Sequence, residues 1–150
     1  MFTTLLENRR ARHDYRLLES FQAGLALTGA EVKSLRQRHG SLRGSYIDIR
    51  DDQAYLLGAQ ISPYQYADNR EYQPKRPRKL LLKKQEIARL AAAQQARGQA
   101  VVPVSIALSN GKLKLNLAIA RGLKRYQKRA QLKERAQQRD AAVELKSLKL

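Results

Sequence analysis

From Lys112 to Ala120 the chain keeps a strict two-residue period: Leu113, Leu115, Leu117 and Ile119 point one way, Lys112, Lys114, Asn116 and Ala118 the other. This predicts a strand with one buried face and one partly cationic face. Asn110-Gly111, just before it, suits the positive φ angles of a two-residue hairpin turn. Val102, Val104, Ile106 and Leu108 supply the partner strand, and Pro103 within it needs an edge or a bulge because it cannot donate a ladder hydrogen bond. A second hairpin is predicted where Tyr46, Asp48 and Arg50 alternate with Ile47 and Ile49, with Asp51-Asp52 as the turn and residues 55–61 returning. A third pair of strands is expected in "HDYRLLESF" and "AGLALTG".

Two helices interrupt this pattern. Thr28-Gly29-Ala30-Glu31 has the form of a capping box, after which Val32 and Leu35 share a face. In "KKQEIARLAAAQQARG" the apolar stripe is Ile87 and Leu90 with Ala91 beside them, and Gly98 is the expected stop. About six short strands with two helices suit a small antiparallel barrel better than a sandwich or a doubly wound sheet. The expected fold class is mainly β, in the order strand, helix, hairpin, helix, hairpin. The oligonucleotide-binding barrel is its natural candidate, since its open sheet face binds nucleic acid chains.

Charge points the same way. The 150 residues carry 30 Lys and Arg against 13 Asp and Glu, a formal net charge of +17. An excess of that size repels itself in the compact state and calls for a polyanion. No run approaches the length of a membrane-spanning helix, and the first residues lack the apolar block of a secretory signal, so a soluble, cytoplasmic protein is expected. Without Cys there are no disulfides, thiolate zinc sites or Cys nucleophiles, and two histidines, His13 and His39, cannot make a three-imidazole metal site. Neither catalytic residues, nor a bound metal, nor a cofactor is expected.

The basic residues gather in three clusters: "NRRARH" at residues 8–13, just before the first expected strand, "PKRPRK" at residues 74–79, which holds Arg76, Arg78 and Lys79, and the stretch after Gly122. Each cluster is either a solvated loop or a set of phosphate contacts, each contact releasing a counterion. Tyr64, Tyr66 and Tyr72 lie in the polar loop ahead of the second cluster, where rings either stack on unpaired bases or pack against the barrel. RNA fits better than duplex DNA, because no helix carries base-reading side chains at groove spacing.

The segments "NRRARHDY", "FQAGLALTGAEVKSLR", "SLRGSYIDI", "GAQISPY", "RPRKLLL" and "LAIARGLKRYQKRAQLKER" follow one another in the order and spacing of the SsrA-binding protein family, small protein B or SmpB, which the chain resembles from Asn8 to about Arg135. The resemblance implies an oligonucleotide-binding-type barrel with two or three flanking helices at residues 1–121 and a basic tail at residues 122–150. It implies an RNA-binding factor, not an enzyme, that holds the tRNA-like domain of transfer-messenger RNA and delivers it to stalled bacterial ribosomes. The tail then stands in for the anticodon arm within small-subunit RNA. Elongation factor Tu and alanyl-tRNA synthetase would be reached through the RNA, and the protein would act as a monomer away from any membrane. The rival readings are a basic structural ribosomal protein, a general RNA-binding barrel, a metal-dependent nuclease and a membrane-surface protein.

Residue by residue, the resemblance implies RNA contacts by Asn8, Arg9, Arg12, His13, Leu81 and Lys114, and by Glu31, Lys33 and Arg36 of the first helix motif. Glu31 has a capping role open to it as well, and Leu81 a core role. Gln22 stands where the family usually has Glu, and an amide can still accept from a base edge. Contacts in the decoding site and messenger channel would fall on Gly122, Lys124, Tyr126, Lys128, Arg129, Lys133 and Arg135, with Gln127 in place of the usual acid. As a helix the tail has only Tyr126, Ala130 and Ala136 for an apolar side, so it is expected to be disordered alone and helical once RNA surrounds it.

Overall fold

The structure, a computed structural model, describes residues 2–123 together with residue 136. The tail positions Lys124, Tyr126, Lys128, Arg129, Lys133 and Arg135 lie outside the described residues. In chain order the elements are β1 (Phe2–Glu7), α1 (Arg9–Asp14), β2 (Tyr15–Leu25), α2 (Gly29–Arg36), β3 (Gly40–Ser41), β4 (Tyr46–Arg50), β5 (Gln53–Leu57), β6 (Gln60–Ile61), β7 (Arg78–Leu81), α3 (Lys84–Gln95), β8 (Gln99–Ser109) and β9 (Lys112–Gly122).

Seven strands form one antiparallel sheet in the order β1-β8-β9-β2-β7-β5-β4, and β3 pairs with β6 beside it. The sheet coils until β4, an edge strand, packs against β8. This is a mainly β fold with three helices among the described residues, of the class the periodicity implies. The inner face is one core that takes Leu115, Leu117 and Ile119 from β9, Ile106 from β8, Leu35 from α2 and Leu90 and Ala93 from α3.

The turn chemistry is visible in the backbone. Asn110 and Gly111 have φ of 50° and 78°, and Asp51 and Asp52 have 50° and 60°, so both hairpins turn through two left-handed residues. Pro103 sits at a bulge, where the β8–β9 register shifts between Pro103 and Ser105. The Thr28–Glu31 capping box is closed: the Glu31 N–H donates to Thr28 Oγ1 at 3.2 Å and the Thr28 N–H to Glu31 Oε1 at 3.0 Å.

Two expectations are corrected. The segments "HDYRLLESF" and "AGLALTG" do not form a pair: His13 and Asp14 end α1, and residues 15–25 are one strand paired along β9. The division expected at Gln22 falls inside the ladder, where Phe21, Gln22 and Ala23 pair without a break with Leu117, Asn116 and Leu115, and the one register shift lies earlier, between Leu17 and Glu19. The first basic cluster does not precede the first strand either. Strand β1 comes before it, burying Leu5 and Leu6, and the cluster itself forms α1. That helix sets Ala11 against one end of the outer face of the sheet, where Ala11, Val102 and Ala120 make a second small core with Tyr15 and Leu17.

Candidate nucleic-acid interface

The outer face of the sheet gathers residues that are far apart in sequence. Pairing across the ladder sets Gln22 opposite Asn116, Gly24 opposite Lys114, and Gly24 again opposite Leu81 on its other side. Because side chains alternate between faces, Gln22, Asn116, Lys114, Leu81 and Lys79 all leave the side away from the core. Of these, Gln22, Lys79, Leu81 and Lys114 border a cleft of about 520 Å³, which Gln53, Lys83 and Lys84 complete together with Asp52 and Glu86. Leu81 is 56% exposed, so it offers an apolar surface there rather than filling the core.

Gly24 makes the approach of β7 possible. A Cβ at this position would lie 3.1 Å from the Leu81 Cβ, tighter than nearly all real contacts. A lone Gly inside a strand pattern was the available signal for it. Asn116, whose Nδ2 donates to Ser105 Oγ at 3.0 Å, lies between the cleft and α1 on the same face; its place on the polar side of β9 was legible without revealing a site.

At the other end of this face α1 presents Arg9, Arg12 and His13 to solvent. Arg12 lies 3.6 Å from Glu7, and His13 Nδ1 is 2.9 Å from Asp14 Oδ1. Asn8 anchors the helix: its N–H donates to Val104 O at 2.8 Å and its Nδ2 to Pro103 O at 2.9 Å. The bulge at Pro103 interrupts the β8–β9 ladder, and Asn8 occupies the carbonyls that the interruption exposes. Asn8 is buried, with its amide turned to the Pro103 carbonyl.

The "PKRPRK" cluster divides. Lys75 and Lys79 are exposed. Arg78 is fully buried and donates to Ala59 O at 2.9 Å, Pro74 O at 2.8 Å, the Tyr72 hydroxyl at 3.0 Å and the Glu31 carboxylate. Arg76 donates to both Glu31 oxygens. Five N–H donors, two each from Arg76 and Arg78 and one from Thr28, converge on the Glu31 carboxylate; Arg78 and Glu31 are closed off from solvent, while Arg76 is partly exposed. Burial alone would raise the Glu31 carboxyl. Hydrogen bonds from Arg76, the Thr28 N–H and Arg78, with the Arg78 charge, outweigh burial and hold the group at about 2, down from 4.5.

Tyr72 belongs to the same knot. Its hydroxyl donates to Ile61 O at 2.8 Å, and burial, with the nearby Glu31 charge, raises its pKa. Lys33 and Arg36 are exposed on α2, and Arg36 Nη2 reaches Gly111 O at 3.5 Å in the β8–β9 turn. Gly122 ends β9 opposite Tyr15, and the Leu123 N–H donates to Asp14 O at 2.9 Å. Among the described residues no three His, Cys, Asp or Glu side chains gather into a metal site, and no helix is long and apolar enough to cross a membrane.

A chain with this face is similar to known proteins. The family model described as SmpB protein matches residues 5–147. The SsrA-binding protein of Clostridium tetani is 45% identical over 143 residues, covering 95% of this chain and 92% of its own. That of Zymomonas mobilis is 48% identical over 139 residues, covering 92% and 87%. A solved chain reported under the words "tmRNA-SmpB: a journey to the center of the bacterial ribosome" superposes with a TM-score of 0.66 at 40% identity, covering 84% of this chain and 92% of that one.

Proposed function

Because this chain belongs to the SmpB protein family, that of the SsrA-binding proteins, we propose that it is the RNA-binding factor of trans-translation, holding the tRNA-like domain of transfer-messenger RNA on its outer sheet face. The observation that carries this is the assembly of Gln22, Lys79, Leu81 and Lys114 from β2, β7 and β9 around one cleft. Lysines at the rim neutralise phosphates, while the Gln22 amide and the Leu81 side chain meet an unpaired base by hydrogen bond and apolar contact.

The protein works by binding RNA, not by catalysis. It acts as a monomer in the cytoplasm and delivers the RNA to small-subunit RNA of stalled ribosomes. Residues 122–150 enter the decoding site and messenger channel, folding there as RNA neutralises their charge. Elongation factor Tu and alanyl-tRNA synthetase are engaged through the bound RNA.

The test is a gel shift of the full chain against transfer-messenger RNA with bulk tRNA as competitor. A complex that survives excess tRNA is expected. Loss of the complex to equimolar tRNA would reduce the protein to a general RNA-binding barrel.

A further inference from the structure

The loop between β6 and β7 carries an aromatic pair that neither the core nor the outer-face cleft uses. Tyr66 is 77% exposed, more than any other large hydrophobic side chain among the described residues. The Tyr64 ring stands against it edge to face, with centroids 5.4 Å apart and planes at 69°. Lys33 Nζ from α2 lies 5.5 Å from the Tyr64 centroid.

The pair is held firmly. Asn69 Nδ2 and the Ala67 N–H donate to Tyr64 O at 2.8 and 3.0 Å, and Ser34 Oγ of α2 donates to Ser62 O at 2.7 Å. These bonds fix the backbone that carries Tyr64, and the Tyr66 ring beside it stays in water, where a π-face backed by a second ring and a nearby cation is the shape that an unpaired base covers. The loop's own charges are of both signs, with Glu71 exposed. Asp68 is neutralised by Arg70, whose Nε and Nη2 lie 3.1 and 2.9 Å from its oxygens, and Lys33 stays exposed. Helix α2 connects this loop to the β8–β9 turn through Arg36 and Gly111, so one RNA molecule lying on the outer face can reach both.

We propose that Tyr66, backed by Tyr64 and Lys33, stacks on an unpaired nucleotide of the same transfer-messenger RNA that occupies the outer sheet face. The site rests on the function proposed above and adds to it a second contact that shares no residue with the cleft.

Gel shifts of the full chain with full-length transfer-messenger RNA test it. Tyr66→Leu keeps an apolar side chain but removes the π-face, and it should weaken binding roughly tenfold. Tyr66→Trp should retain wild-type affinity, and all variants should melt as the wild type does. If Lys114→Ala weakens binding while Tyr66→Leu does not, the stacking site is overturned and the outer-face reading stands. Failure of the wild type to bind would remove both. Affinity kept by Tyr66→Leu but lost in Tyr66→Ala would indicate an apolar contact and overturn stacking. Unchanged RNA binding with weakened binding to purified small ribosomal subunits would overturn the choice of RNA.

Discussion

Glu31 on α2 and Arg78 on β7 form an ion pair closed off from solvent, their side chains 1% and 0% exposed. The pair ties α2 to the root of the loop that bears Tyr64 and Tyr66, and Arg76 and Tyr72 close the same knot. Glu31 thereby holds together α2, β7 and the loop that precedes β7.

Removing one partner strands the other. Glu31→Ala leaves the Arg78 guanidinium buried without its counter-charge and should destabilise the fold by about 3–5 kcal/mol, measured by urea denaturation. The pH dependence has a definite sign. A carboxyl held at about 2 in the folded chain and near 4.5 when free contributes stability that is complete above its unfolded value and lost as pH falls from about 4.5 towards 2. The wild type should lose on the order of 3 kcal/mol over that window from this group, and Glu31→Gln should lack that part of the acid transition.

Asn8→Ala removes the donor to Pro103 O and should cost about 1–3 kcal/mol, the range for a buried hydrogen bond whose partner is left unsatisfied. Since Asn8 positions α1, RNA affinity should fall with stability. A variant that melts like the wild type yet binds RNA weakly would indicate direct contact instead.

Lys114→Ala should weaken RNA binding without lowering the melting temperature, because the side chain leaves the outer face of β9 rather than entering the core. The slope of log affinity against log salt should flatten by roughly one counterion. An unchanged slope would mean that Lys114 neutralises no phosphate.

Truncation after Leu123, whose N–H is bonded to Asp14 O, should leave transfer-messenger RNA binding close to that of the full chain and abolish tagging on stalled ribosomes. Weak RNA binding by the truncated chain, in gel shifts beside the full chain, would contradict the division between barrel and tail.

Local chemistry marked much of this fold in advance. Asn110-Gly111 and Asp51-Asp52 announce their turns because few other residues accept positive φ, and Thr28 with Glu31 announces a helix start. Lys114 was placed on the right face of β9 by alternation alone. The strand at residues 15–25 was not legible as one element, since the polar Gln22 between Phe21 and Ala23 reads locally as a break, and only its pairing with Asn116 shows the ladder running through it.

By itself, then, the amino-acid order determined the periods, the turns, the cationic excess and the kinship with SsrA-binding proteins, all of which reside in neighbouring residues or in the sum of charges. Which cations stay at the surface was decided only by the tertiary structure. Arg78 and Lys79 are adjacent in one basic run, but the alternation of β7 sends the first inward to Glu31 and leaves the second at the cleft. Burial of a guanidinium depends on a carboxylate 47 positions away, and such a partner exists only once the sheet has coiled to bring α2 and β7 together.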